Sequence, residues 1–285
     1  MFSSQSLTVL SLLAPLVSAQ ACKLQFDGRI PATLTAAGFD ATNQFFGSSN
    51  VFGKGLAFSQ LIQLPAITGS LFDTNTVPVA VTISDKSIFN GQTGFRRAEL
   101  IPASNSGTDA STTGVKTLHF SVMKDAQRPL NLSHEYQLVF LESNDFSTNQ
   151  VVLKTGTILG QATANPDTLQ LFGNVNSNPP QVLFSAPFTP GVFNNFAVTL
   201  DFNKLTTQVF FSTGTAPLKA VTKALANDVS GQGQFHFGVL KKPTDGGADI
   251  TKSGFQEAGI DEGVIYGGIF QEDSAGAAAC VSLSA

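Results

Sequence analysis

The heptapeptide Gln234-Phe235-His236-Phe237-Gly238-Val239-Leu240 carries an apolar side chain at every second position, Phe235, Phe237 and Val239, with Gln234, His236 and Gly238 between them. Side chains at i and i+2 share one side of an extended chain, so this spacing predicts a strand with one face in a core and the other facing water or a cleft. The pattern recurs in Thr117-Leu118-His119-Phe120-Ser121-Val122-Met123, where Leu118, Phe120 and Val122 form the apolar set and His119 and Ser121 stand opposite. It recurs again in Phe95-Arg96-Arg97-Ala98-Glu99-Leu100, where Ala98 and Leu100 suit a core and Arg97 and Glu99 share the other face. Further strands rich in Val, Ile, Phe and Thr are expected over 135–142, 150–154, 181–184, 195–202, 208–212 and 264–271.

Turn-rich tracts at 103–114, 174–180, 227–233 and 243–249 separate these runs. Sustained helical spacing is absent. Two short helical turns are expected, over 58–64 and 218–226, where alanine and leucine gather. Many short strands without alternating helices imply an all-β fold of two packed antiparallel sheets, a jelly-roll sandwich of the concanavalin A-like kind. No internal repeat or Ser/Thr/Pro linker divides the chain, so residues 20–285 are expected to form a single β-sandwich domain.

The first residues carry Leu7, Val9, Leu10, Leu12, Leu13, Leu16 and Val17, then the small-residue exit Val17-Ser18-Ala19. This is the pattern of a secretory signal peptide over 1–19, too short in its apolar run to span a bilayer. The two cysteines, Cys22 and Cys280, lie near the two ends of the mature chain. In an oxidising compartment they are expected to form one disulfide, worth roughly 5 kcal/mol by loop-closure entropy. Asn131-Leu132-Ser133 is an N-glycosylation sequon and implies a surface loop at Asn131.

A net charge of −4, with basic residues clustered no further than pairs such as Arg96-Arg97 and Lys241-Lys242, gives no footprint for nucleic acid or an anionic membrane. A neutral partner fits, and a monomer is expected. There is no GxSxG, no phosphate-cradling glycine loop and no metal-spaced histidine cluster, so neither a metal nor a cofactor is expected.

The non-core faces of three strands thus offer Arg97 with Glu99, His119 with Ser121, and Gln234 with His236. Such sets could handle protons and hydrogen-bond sugar hydroxyls along a polysaccharide cleft. Glycosidic hydrolysis usually takes two carboxyl groups, so Glu99 needs a partner. The segment 134–145 supplies three: Glu135 and Glu142, seven residues apart and so on opposite faces of a regular strand, and Asp145 beyond them. Glu142 is favoured, since it shares a face with Phe140, a ring able to stack on sugar; Glu135 adjoins the sequon and reads as a surface residue. Glu257, Asp261, Glu262, Glu272 and Asp273 read as solvated charges or turn caps.

The segments Val81-Thr82-Ile83-Ser84-Asp85-Lys86-Ser87-Ile88-Phe89, Thr93-Gly94-Phe95-Arg96-Arg97-Ala98-Glu99-Leu100, 134–145, Lys154-Thr155-Gly156-Thr157, Gln234-Phe235-His236-Phe237-Gly238 and Gly254-Phe255-Gln256-Glu257 resemble fungal glycoside hydrolase family 131. The resemblance implies a β-jelly roll that hydrolyses β-1,3, β-1,6 and to a degree β-1,4 glucan by inversion, with two catalytic glutamates. It places one at Glu99 and leaves the second between Glu142 and Glu135; together with the sorting of strand faces, this makes Arg97, His119, Phe140 and His236 the expected substrate contacts. The chain contains no tryptophan, although the resemblance leads one to expect it where Phe140 and Phe193 stand. Two rivals remain: a jelly-roll lyase of polyuronates, using a His or a tyrosine such as Tyr136 or Tyr266, and a non-catalytic glucan-binding wall protein.

Overall fold

The computed structural model describes residues 22–41, 45–47, 51–275 and 280–285; the expected signal segment 1–19 lies outside them. The alternating runs form two antiparallel sheets packed face to face. In the larger, nine-stranded sheet the order is Lys219–Ala220, Thr206–Thr213, Asn194–Asp201, Val115–Lys124, Asp261–Asp273, Val79–Ser84 and Ile62–Gln63, with Lys23–Asp27 and Leu225–Ala226 attached at its sides. The six-stranded sheet runs Val182–Pro187, Thr168–Phe172, Asn149–Gly156, Glu135–Glu142, Gln234–Lys241 and Arg96–Leu100. The chain folds as the expected jelly-roll sandwich.

The inward sets meet between the sheets. Leu118, Phe120 and Val122 from one side, and Phe235, Phe237, Val239, Ala98 and Leu100 from the other, all belong to one buried core. Phe120 lies edge-on to Phe237 across the interface, with ring centroids 6.4 Å apart. The turn expected over 58–64 is a short 3-10 helix, Phe58–Gln60, followed by Ile62–Gln63 as a strand. The turn expected over 218–226 is instead two edge strands, because its backbone finds partners along Thr206–Thr213. Cys22 and Cys280 form the expected disulfide, Cα atoms 5.7 Å apart.

The outer face of the nine-stranded sheet is covered around Phe270. Leu71 and Phe72 pack there with Phe270. The C-terminal residues lie there too: Ser282 donates its backbone N–H and its hydroxyl to Glu272, and the disulfide fastens Cys280 to Cys22. His119 is sealed under this layer, stacked on Phe270 at 4.3 Å with Nε2 2.8 Å from Glu272 Oε2. It therefore cannot meet a substrate, contrary to the sequence expectation. The period of two assigns His119 a side of its strand but not a sheet. Phe193 packs on this same sheet with Ala80 and Ile265. Glu262 and Glu272, read as solvated, are buried, because each has found a partner: Lys241 and Tyr136 for Glu262, His119 and Ser282 for Glu272.

The six-stranded sheet is irregular at its centre. Between the same two flanking rungs one strand runs from His236 to Leu240, the next from Gln137 to Phe140, and the next only from Val152 to Lys154. Leu138 and Val139 consequently both enter the core. This bulge resets the alternation, so Glu135 and Glu142 lie on the same face, not on opposite ones. Glu135 is also not a surface residue: it is 2% exposed and accepts from Lys242 Nζ at 2.7 Å, Lys154 Nζ at 3.0 Å and the Leu159 backbone N–H at 2.9 Å.

Phe237 is fully buried between the sheets. Phe237→Ala should lower the unfolding free energy by about 3–5 kcal/mol in urea titration, while Val221→Ala on the surface changes it by less than about 0.5 kcal/mol. Burial raises the Glu135 carboxyl, but the two lysines outweigh it and hold its pKa at about 2, against an ordinary 4.5. A depressed carboxylate stabilises the fold fully above pH 4.5 and loses that contribution as pH falls through 2. Wild type should therefore lose about 3 kcal/mol more between pH 5 and pH 2 than Glu135→Gln loses, read from urea midpoints at each pH.

Candidate active site

The outer face of the six-stranded sheet carries a cleft of about 680 Å³. Its lining includes Arg97, Gln137, Phe140, Glu142, Asn149, Gln234, His236 and Lys242 from the strands and their ends. Phe89, Asn90, Gln92, Phe146 and Thr251 come from the surrounding loops. Strand pairing brings the polar sets together: His236 stands opposite Phe140, Gln234 opposite Glu142, and Gly238 opposite Glu99. Gly238 has a steric reason to be glycine. A β-carbon there would fall 2.1 Å from the Ala98 carbonyl oxygen and 2.7 Å from Glu99 Cα.

Glu99 lies beneath the cleft floor at 0% exposure. Arg97 grips it with two parallel bonds, Nε to Oε1 at 2.7 Å and Nη2 to Oε2 at 2.8 Å. His236 Nδ1 lies 2.7 Å from the same Oε2. Burial raises the Glu99 pKa, yet the Arg97 charge and the hydrogen bond and charge of His236 outweigh it, so the carboxyl is held below its ordinary range. With Glu99 ionised, Nδ1 carries the proton it donates to Oε2.

That choice leaves His236 Nε2 as the free end of the ring. It is buried, makes no hydrogen bond among the described residues and lies 3.5 Å from Glu142 Oε2. The ring is held flat against Phe140, centroids 4.3 Å apart and planes 12° from parallel. Glu142, with its side chain 27% exposed, is the carboxylate that opens directly onto the cleft. Glu99, His236 and Glu142 thus form a line from a buried anion through an oriented imidazole to a solvent-reached acid.

A second polar row extends along the floor. Asn149 Nδ2 donates to Gln137 Oε1 at 2.9 Å, and Gln137 Nε2 reaches Glu135 Oε1 at 3.4 Å, where the two lysines begin. Of the residues expected from the sequence, Arg97, Phe140, Glu142 and His236 line the cleft and Glu99 supports it from below. Glu135 is locked in ion pairs at one end, and His119 belongs to the other sheet. Asp145 is exposed and spends its carboxylate on Ser143 and Ser147 in a turn. Tyr136 and Tyr266 are buried in the core, bonded to Glu262 and to the Leu138 and Gly238 carbonyls. Asn131 is exposed and donates from Nδ2 to Glu257 at 2.8 Å.

The sequence reading missed Gln137, Asn149 and the loop residues Phe89, Gln92 and Phe146. The parity of Gln137 is legible only with the bulge in hand, and loop residues carry no period to read. Among the described residues no helix is long and apolar enough to cross a membrane.

Residues 24–277 match the family model of the glycoside hydrolase 131 catalytic N-terminal domain. The fold is similar to the crystal structure of a GH131 β-glucanase catalytic domain from Podospora anserina, at 23% identity and a TM-score of 0.72, covering 92% of this chain and 98% of that one. It is likewise similar to the catalytic domain of the glycoside hydrolase family 131 protein from Coprinopsis cinerea, at 22% identity and a TM-score of 0.69, with the same coverage. No curated protein sequence matches the chain. With the family model spanning nearly all of the described sandwich, the chain belongs to glycoside hydrolase family 131.

Proposed function

We propose that this chain is a secreted, monomeric hydrolase of β-glucan, acting on β-1,3 and β-1,6 linkages with β-1,4 also in reach, through Glu142 and the Glu99–His236 pair. The observation that carries the reading is the position of His236 between the two carboxylates, with its one free nitrogen toward the cleft. The terminal disulfide favours an oxidising destination, in keeping with a signal peptide over 1–19 and a catalytic sandwich over 20–285. The Podospora neighbour is named a β-glucanase, which favours the substrate class.

The roles follow from the electrostatics. Glu99 is held ionised and both its oxygens are occupied, so it cannot donate a proton. Glu142 is then the acid, giving its proton to the glycosidic oxygen as the bond to the anomeric carbon breaks. His236 is the base: Nε2 takes a proton from the attacking water, and the imidazolium is stabilised by Glu99, to which Nδ1–H is already bonded. The proton on Nε2 returns to Glu142 across their shared contact and restores the starting state. A whole imidazole ring separates the two carboxylates. The acid and the base, Glu142 Oε2 and His236 Nε2, stand 3.5 Å apart, so the roughly 6.5–9.5 Å that an inverting pair needs to hold a water between them requires Glu142 to move away from the ring. Sugar entry swings the partly exposed Glu142 side chain off His236 and admits the water.

A lyase is less well supported, because both tyrosines are buried in the core and Arg97 is committed to Glu99 and Gln92 rather than free for a uronate.

Wild type should release reducing ends from one or more of β-1,3, β-1,4 and β-1,6 glucan with inverted anomeric configuration by NMR, and leave no unsaturated product from a polyuronate. Glu142→Gln, His236→Ala and Glu99→Gln should each lower kcat by about 10²–10⁴-fold while remaining folded. Full activity in Glu142→Gln would sink the acid assignment, an unsaturated end would identify a lyase, and retention on insoluble glucan without any product would identify a lectin.

A further inference from the structure

Phe146 is the most exposed of the large apolar side chains among the described residues, at 74%. It lines the cleft that holds Glu142 and His236. Its backbone adopts φ +59°, a left-handed conformation that is costly for a bulky side chain. Ring exposure and backbone strain both work against folding, so neither is explained by stability.

The turn around it is built to keep it there. The Phe146 N–H donates to the Ser143 carbonyl at 2.8 Å, and the Ser143 N–H to the Thr148 carbonyl at 2.8 Å. Asp145 accepts from the Ser143 hydroxyl at 2.6 Å, the Ser147 hydroxyl at 2.7 Å and the Ser147 N–H at 3.1 Å. The Asn144 N–H donates to the Gly231 carbonyl at 3.0 Å, tying the turn to the loop that precedes the His236 strand. The turn also follows directly on Glu142, so the ring stands on the chain four residues beyond that carboxylate.

We infer that Phe146 is a stacking platform for a pyranose ring, forming a sugar subsite on the Glu142 side of the cleft. A glucose-type ring in a β-linked chain has equatorial hydroxyls, so its axial C–H groups make an apolar face that an aromatic ring can cover. Gln234 and Asn149, which line the same part of the floor, can meet the hydroxyls at its edge. Phe140 cannot take this role, since it is buried and its face is covered by His236. In a chain without tryptophan, Phe146 is then the most exposed of the rings lining the cleft, Phe89 being half-buried and Phe95 buried, and the one best placed to hold a neutral sugar. The inference rests on the glucanase reading above for its substrate class.

The test uses Phe146→Gly, which removes both ring and strain, and Phe146→Trp, which restores a larger ring. Phe146→Gly should raise KM for the glucan that wild type cleaves about tenfold, with kcat within about twofold and an unfolding temperature at or above wild type. Phe146→Trp should keep KM within about twofold of wild type or lower it. An unchanged KM in Phe146→Gly overturns the inference. So does a raised KM that accompanies a lowered unfolding temperature and is not recovered by tryptophan. Retention of each variant on insoluble β-glucan separates this claim from the hydrolase reading. Phe146-dependent retention without hydrolysis by wild type keeps the platform and overturns the hydrolase, whereas hydrolysis with unaltered KM does the reverse; neither retention nor hydrolysis overturns both.

Discussion

The cleft depends on a mismatch between neighbouring strands and on the hydroxyl that fills it. The strand from His236 to Leu240 is longer than its partner from Gln137 to Phe140, so the rungs around Leu138 and Gly238 cannot close with each other. Tyr266, reaching across the core from the nine-stranded sheet, places its hydroxyl 2.5 Å from the Gly238 carbonyl and 2.9 Å from the Leu138 carbonyl. A buried carbonyl left unpaired would cost about 1–3 kcal/mol, so this single side chain makes the bulge tolerable. The bulge in turn bends the sheet and sets which side chains face outward. Phe140 and Glu142 share the face of His236 and Gln234 by regular pairing, and the irregularity brings Gln137 to that same face.

Ionisable groups are buried here only where they are matched. Glu99 has Arg97 and His236, Glu135 has Lys154 and Lys242, and Lys241 has Glu257 and Glu262. Each set could be replaced by apolar residues at little cost, but breaking one partner out of a set leaves an uncompensated charge, worth about 3–5 kcal/mol. The Glu99 set ends at a nitrogen that makes no hydrogen bond among the described residues. The Lys242 end of the Glu135 set also borders the cleft, but there the charges are paired with one another, whereas the Glu99 set presents an imidazole nitrogen to it.

The two faces of the sandwich divide the labour. One outer face is covered over His119 by Phe72, Phe270 and the tethered C-terminal residues, and the outer face of the six-stranded sheet forms the cleft with the convergent polar groups. Its floor is formed of paired strands and paired charges. Its rim is made of turns, and at Phe146 one of these holds an apolar ring in water against both solvation and backbone preference. Such a division suits a site where the floor handles protons and the rim grips a neutral polymer.

Alternation in 234–240, 117–123 and 95–100 determined the strands, the inward sets and the sandwich, because burial of every second residue is a local property of the extended chain. It also assigned Arg97 with Glu99, and Gln234 with His236, to common faces, and the strand pairing keeps those groupings. Which sheet a strand joins is not local: His119 has the same alternation as His236, yet it lies under the C-terminal layer, stacked on Phe270. Nor is a bulge local. Only the pairing of Glu135–Glu142 with two neighbours of unequal length puts Glu135 and Glu142 on one face and turns Gln137 into a cleft residue. Residue type named the groups able to move a proton; the contacts between distant strands decided that Glu99 is buried, that His236 points at Glu142, and that Glu142 alone of the three carboxylates considered opens onto the cleft.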